Sequence, residues 1–359
     1  MNRAFVLAAG GTGGHMVPAH ALAAELRARQ HEVALVTDER GARIPGLFDG
    51  VPVHVLPAGR LTGKPQSWLP GLNAIRRGRA QAVALYRALK PAAVVGFGGY
   101  PAFPALVAAL GRRLPTAVHE QNAVLGRVNR LLGGAVDRIA TSYPEVERVK
   151  AGWRDKVRLV GNPVREAVLR LREQPFPGGE TFDVLVTGGS QGATILGRVV
   201  PEALGRLPEV LRARLRVVQQ ARPEDIGQVR ARYAELGIAA ELETYLADMP
   251  ARLAQAQLVI GRAGASTIAE LTAAGRPAVL VPLAIATDDH QTANVREMVA
   301  AGGARAIAED AFTPDALAAA IVDLAGEPGR LVKAAAAAWS CGRPRATEDL
   351  ADLVEELAA

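Results

Sequence analysis

AFVLAAGGTGGHMVPAH (residues 4–20) and FDVLVTGGSQGATIL (182–196) repeat one plan in the two halves of the chain. Each starts as an apolar run, passes through glycines and continues into a helical stretch. Glycine lets backbone N–H groups come close to a ligand, and the amides at a helix N-terminus carry partial positive charge that favours phosphate. Two such units point to a protein that brings two phosphate-bearing molecules together.

Outward from these stretches, short apolar runs alternate with amphipathic segments along the whole chain. FVLAA (5–9), VALVT (33–37), AVVGF (93–97), TAVHE (116–120), RIATS (138–142) and VRLVG (157–161) form a first series. DVLVT (183–187), RVVQQ (216–220), AELET (240–244), LVIGR (258–262) and AVLVP (278–282) form a second. This is the pattern of α/β domains with parallel sheets. The join is placed near residue 163, where Asn162 and Pro163 suit a hinge because proline restricts both itself and the residue before it. The Pro/Gly-rich EQPFPGGE (173–180) follows. The expected division is an N-terminal domain over 1–163, a C-terminal domain over 164–340 and a final helix over 341–359. In that last segment Leu350, Leu353, Val354 and Leu357 share one helical face and need a surface to pack on.

A chain of 359 residues with 49% hydrophobic composition can bury two cores. Its net charge of +6 favours an anionic partner, whether nucleic acid, an acidic membrane surface or a phosphorylated substrate. The single cysteine, Cys341, excludes an internal disulfide, and no Cys/His cluster has zinc-site spacing. The chain enters a core strand within a few residues of Met1, so no leader peptide is expected and the cytoplasm fits best. The apolar stretch 92–110 is broken by Gly and Pro and reads as strand, loop and buried helix rather than a membrane span.

A dinucleotide fingerprint would need G-x-G-x-x-G and an acid ending the second strand. Asp38 supplies the acid, but Gly11 and Gly13 are followed by Met16 where Gly or Ala should stand. His15 sits instead at the helix mouth, near Pro18, which suits an early helical position. An imidazole at such an anion site can serve as base or as phosphate donor, although a histidine there could also simply cap the helix.

GGTGGHMVPA (10–19), VGFGGYPAFP (95–104), HEQN (119–122), GNPVR (161–165), GGSQGA (188–193), RAGASTIAEL (262–271) and DDHQTAN (288–294), in this order, closely resemble the MurG family of bacterial N-acetylglucosaminyltransferases, which make lipid II for peptidoglycan. The resemblance implies a GT-B architecture: two Rossmann-like doubly wound parallel-sheet domains facing a deep cleft. It implies an inverting transfer of GlcNAc from UDP-GlcNAc to the 4-hydroxyl of the N-acetylmuramoyl sugar of lipid I. In this family the last helix crosses back to the first domain.

The family's donor contacts carry over to Arg165, Ser190, Leu246 through its main chain, Ala265, Ser266, Thr267, Ile268, Ala269, Glu270 and Gln291, and on the N-terminal domain to Thr12, Gly13, Gly14 and Asn122. Arg165 can neutralise the diphosphate as UDP leaves, Ser190 and its neighbouring amides can hold it, and Glu270 can accept from two sugar hydroxyls. Gln291 both donates and accepts, which suits discrimination between sugars. Gly10, Gly11, Gly13, Gly14 and Tyr100 fall on the acceptor side. Inversion needs a base for the acceptor hydroxyl, for which His15 is the candidate and Glu120 the rival. His290 stands where some relatives have Gln.

A lipid-linked acceptor requires access to the bilayer surface. In SWLPGLNAIRRGRAQAVALYRALK (67–90), Trp68, Leu69, Leu72 and Ile75 lie close to Arg76, Arg77 and Arg79, a combination that suits an anionic interface. The implied location is peripheral, on the cytoplasmic face of the membrane, with cell-wall synthesis proteins as further partners and no nucleic acid. No cofactor is required in this reading; Asp288 and Asp289 are adjacent rather than spaced as a D-x-D pair, which leaves room only for a loosely bound divalent cation. A diacylglycerol glycosyltransferase or a nucleotide-sugar epimerase would share the glycine loops, a dehydrogenase would need the missing fingerprint, and a non-catalytic binding protein would not need His15, Glu270 and Gln291 together.

Overall fold

Parallel strands dominate both halves of the chain. A computed structural model describes residues 2–11, 13–44, 48–59, 68–189, 192–283 and 287–359, with the backbone alone at Trp68 and Thr287. The chain divides into two compact units, Met1–Val164 together with Pro344–Ala359, and Arg165–Arg343. The first unit thus takes in Val164, and the returning segment starts at Pro344.

In the first unit, β1 (Ala4–Ala8), β2 (Glu32–Thr37), β3 (Val53–Val55), β4 (Ala93–Gly96), β5 (Thr116–Glu120), β6 (Arg138–Thr141) and β7 (Val157–Leu159) form one sheet in the order β3-β2-β1-β4-β5-β6-β7. In the second, β8 (Phe182–Thr187), β9 (Leu215–Gln220), β10 (Ala240–Glu243), β11 (Leu258–Arg262), β12 (Ala278–Val281) and β13 (Ala304–Ala306) run β10-β9-β8-β11-β12-β13. Every pairing is parallel. Strand order reverses at β1/β4 and at β8/β11. In doubly wound sheets ligands bind at such switch points, beyond the carboxyl ends of the strands.

Alternation along β1 explains its unbroken apolar run. Phe5 and Leu7 face a core shared with Met16, Ala19 and Leu22 of the helix Gly13–Ala28, whereas Val6 and Ala8 face one shared with Tyr86, Ala105 and Leu106. Both faces are covered, so neither needs polar residues. Pro18 falls inside the helix Gly13–Ala28 rather than at its first position, and forfeits one backbone hydrogen bond there.

The final helix, Ala346–Leu357, packs on the first unit: Leu350, Ala351, Leu353 and Val354 join Phe5, Leu7, Met16 and Leu22 in one core. Polar contacts rim this contact. Arg29 Nη1 donates to Asp352 Oδ1 and Glu355 Oε2, both at 2.6 Å, and His31 Nε2 lies 2.7 Å from Glu355 Oε1. Partly exposed ion pairs contribute about 0.2–1 kcal/mol each, so the apolar face carries the docking. Leu350 is 0% exposed. Leu350→Ala is expected to lower the unfolding free energy by about 2–5 kcal/mol in urea titration; a change below about 0.5 kcal/mol, as at a surface site, would show that the helix is not held by this face.

Candidate active site

The loops after β1 and β4 meet at the first switch point, and only glycine permits their approach. A Cβ on Gly10 would lie 2.7 Å from Pro101 Cδ and 3.1 Å from Gly99 Cα. Gly98 and Gly99 have φ of +89° and +77°, a region that side chains other than glycine's rarely adopt. A Cβ on Gly98 would sit 3.2 Å from Cε1 of His15, so the imidazole rests against this bare backbone. Gly13 and Gly14 are exposed, with nothing within 4 Å of where a Cβ would stand. The helix Gly13–Ala28 thus starts on two exposed glycines, and the amides of a helix N-terminus favour an anion. Tyr100, half-buried in the turn after β4, completes the rim.

Asp38, the acid that a dinucleotide site would use, is occupied otherwise. Its carboxylate accepts from the amides of Gly11 at 3.1 Å and Gly41 at 3.0 Å, and from Arg40. Burial works against its ionisation, but the Gly41 amide, Arg40 and the Gly11 amide outweigh that and hold the carboxyl below its ordinary value. Asp38 braces the glycine loop.

The HEQN segment ends β5 beside this loop. Glu120 is 2% exposed. Its Oε1 accepts from the amide of Asn122 at 3.1 Å and from Asn122 Nδ2 at 3.3 Å, and its Oε2 from the amide of Gly126 at 2.7 Å and Asn129 Nδ2 at 2.9 Å. With both oxygens committed to four donors, Glu120 anchors the loop, and the rival-base expectation gives way to a structural role. Asn122 is held by the same carboxylate. His15 Nδ1 lies 3.0 Å from Gln121 Oε1, and Gln121 Nε2 lies 2.9 Å from His119 Nδ1. Gln121 was not singled out from the sequence. Its only signal was its place in HEQN, since its partner His15 lies 106 residues away.

In the second unit, Gly188 follows β8, and a Cβ on it would lie 2.5 Å from the amide nitrogen of Ala193. The helix Thr194–Gly205 that follows has no side-chain cap. Across the switch point, the helix Ala265–Ala274 starts after Gly264, again without a side-chain cap, so the amides of Ala265, Ser266 and Thr267 are free of one. Glu270 lies on its second turn and meets Arg165, whose Nε and Nη2 donate to Oε1 at 3.0 and 2.7 Å. Burial pushes the Glu270 carboxyl above its ordinary value, and Arg165 opposes that by charge and hydrogen bonding. Oε2 accepts no hydrogen bond among the described residues.

Other expected donor contacts serve the scaffold by their side chains. Ile268 is 4% and Leu246 5% exposed, so both side chains are buried. Gln291 Oε1 accepts from the amide of Leu283 at 2.9 Å, which commits its acceptor end and leaves its amide nitrogen for a ligand. Asn294, 0% exposed, donates to the Ala263 carbonyl at 3.2 Å and ties the DDHQTAN segment to the loop after β11. Ala269 lies between Ile268 and Glu270, half-buried. Thr12, Ser190 and the side chain of Trp68 lie outside the described residues.

The helix Trp68–Leu89 carries the expected surface patch. Leu69 is 80% and Leu72 48% exposed, and Arg76, Arg77 and Arg79 are exposed, while Ile75 is half-buried. One face of its far half joins the core: Tyr86 is 1% exposed and donates to the Ala105 carbonyl at 3.0 Å. Among the described residues no helix is long and apolar enough to cross a membrane.

Comparison with known proteins agrees with this arrangement. The glycosyltransferase family 28 N-terminal domain matches residues 5–141 and the C-terminal domain residues 183–357. The chain is 62% identical to a UDP-N-acetylglucosamine–N-acetylmuramyl-(pentapeptide) pyrophosphoryl-undecaprenol N-acetylglucosamine transferase of Novosphingobium aromaticivorans, over 100% of this chain and 93% of that one. It is 60% identical to the Erythrobacter litoralis transferase of the same name, over 99% and 90%. Among solved structures it is similar to Acinetobacter baumannii MurG, with a TM-score of 0.79 and 28% identity over 99% of this chain and 100% of that one. The chain thus has the two-domain GT-B fold and belongs to glycosyltransferase family 28, among its lipid II-forming N-acetylglucosaminyltransferases.

Proposed function

We infer that the chain transfers GlcNAc from UDP-GlcNAc to the 4-hydroxyl of the N-acetylmuramoyl sugar of lipid I, with inversion, giving lipid II and UDP. The observation that carries this reading is the full-length 62% identity to a transferase of that printed activity. In a single displacement the acceptor oxygen bonds to the anomeric carbon, the bond from that carbon to the UDP oxygen breaks, and the hydroxyl proton passes to a base. His15 suits that role, half-buried at a helix mouth and held through one ring nitrogen.

On the second unit, Arg165 and the uncapped amides of the two helix starts supply positive charge for the departing diphosphate. Glu270 Oε2 is left to accept from sugar hydroxyls, and the Gln291 amide nitrogen to donate. The reaction so described needs no cofactor. Leu69 and Leu72, exposed beside Arg76, Arg77 and Arg79, support peripheral attachment to an anionic membrane, where a lipid-linked acceptor resides.

Purified chain incubated with UDP-GlcNAc and a short-chain lipid I analogue, with and without a chelator, tests the reading. Formation of the disaccharide product, insensitive to the chelator, is expected; UDP release without that product would refute it. His15→Ala is expected to lower kcat by about 10²–10⁴-fold with donor affinity little changed, and turnover near wild type would place the base elsewhere. Glu270→Ala is expected to raise KM for UDP-GlcNAc by roughly 10–100-fold while free UDP still binds; equal loss of both would mark the residue as structural. Replacing Leu69 and Leu72 by Glu should reduce co-sedimentation with anionic vesicles, and unchanged sedimentation would contradict the membrane patch.

A further inference from the structure

We propose that Gln121 and His119 are positioning residues that fix the proton of the neutral His15 imidazole on Nδ1 and thereby keep the Nε2 lone pair for the acceptor hydroxyl. The proposal rests on reading His15 as the base. It follows from the order of donors and acceptors along one buried line of groups.

The line ends on a carbonyl. His119 Nε2 lies 2.9 Å from the Gly161 oxygen, which can only accept, so Nε2 must carry hydrogen. His119 is 0% exposed. Burial pushes its pKa down to about 4, with the Gly161 carbonyl opposing and the charge of His15 adding to the shift. At neutral pH the ring therefore holds one proton, and Nδ1 presents a lone pair.

Gln121 Nε2 faces that lone pair at 2.9 Å and the His119 carbonyl at 3.1 Å. Two acceptors at one end of the amide require its nitrogen there. The reversed amide would set its oxygen against both and leave two buried acceptors without a donor. Oε1 consequently points at His15 Nδ1, 3.0 Å away, and a carbonyl oxygen can be satisfied only if Nδ1 is the protonated nitrogen. Nε2 of His15 makes no hydrogen bond among the described residues.

A neutral imidazole in water populates both tautomers, and the wrong one would offer the hydroxyl an N–H that cannot take its proton. The relay excludes that form. The glycine surface at Gly98 and Gly99 holds the ring plane while Gln121 holds its edge. As the acceptor O–H bond breaks and a hydrogen forms its bond to Nε2, Nδ1–H stays on the amide oxygen. That partner is neutral, so it orients the imidazolium without the charge stabilisation that a carboxylate would add.

The test uses the full chain labelled with 15N-histidine, whose six histidines can be resolved by long-range proton–nitrogen correlation. His15 is identified by the signal lost in His15→Gln. The expected spectrum of the wild type at neutral pH shows a protonated Nδ1 and an unprotonated Nε2 for His15. In Gln121→Met that pattern should give way to mixed tautomers, with kcat lowered at least about tenfold and KM for UDP-GlcNAc changed less than about twofold. A wild-type His15 protonated on Nε2 would overturn the proposal, as would a folded Gln121→Met enzyme with wild-type kcat. The wild-type spectrum decides the tautomer even if the variant does not fold. Wild-type turnover in His15→Gln would instead remove the base reading on which the proposal stands, and the spectrum distinguishes the two failures.

Discussion

Backbone pressed against backbone at Gly10 and Gly99 is the contact on which the first unit's site depends. Strand order reverses between β1 and β4, so their following loops part there and would ordinarily need side chains to fill the gap. Here, a Cβ on Gly99 would stand 3.0 Å from Gly10 Cα, and no other residue fits without moving one loop. The close approach sets His15 against the second loop, beside the exposed glycines that start the helix Gly13–Ala28. The second unit repeats the scheme at β8/β11, where Gly188 lies close against Ala193 and a second helix starts after Gly264. Two anion-prone helix mouths on two sheets of the same order follow from one local solution used twice.

Buried polar groups then divide the labour. Glu120 and Glu270 are both shielded carboxylates, yet their surroundings give them different work. Glu120 accepts from four donors of its own loop and has no capacity left for a ligand. Glu270 is engaged through one oxygen by a single arginine, and burial raises its pKa despite that partner. A carboxylate left half-satisfied in a sheltered place is suited to bind hydroxyls, since they replace the water it has lost. The same accounting distinguishes Asp38, whose bonds to Gly11 and Gly41 make it a brace.

Much of this was legible from residue order. Long apolar runs such as FVLAA and DVLVT declare buried parallel strands because both sheet faces are covered, and the glycine loops declare the helix mouths. The three-residue edge strands β3 and β13 were not read, since a short run such as VHV or ARA has no periodicity to distinguish it from a loop. The last helix showed its apolar face, but the surface it covers came only with the family resemblance, because amphipathicity carries no address. Arg165 and Glu270, 105 residues apart, and Gln121 and His15, 106 apart, meet through topology alone. Spacing in the chain encodes neither pair, and the role of Gln121 emerges only when the Gly161 carbonyl is seen to end its line.

The central claim is that the sugar nucleotide belongs to the second unit and the first glycine loop serves the acceptor. Amide hydrogen exchange with and without UDP-GlcNAc tests it most directly. The account predicts strong protection at residues 188–194 and at the start of the helix Ala265–Ala274, with weaker protection at Gly13, Gly14 and Asn122. Protection centred on residues 10–15, with none at Ala265–Glu270, would contradict it.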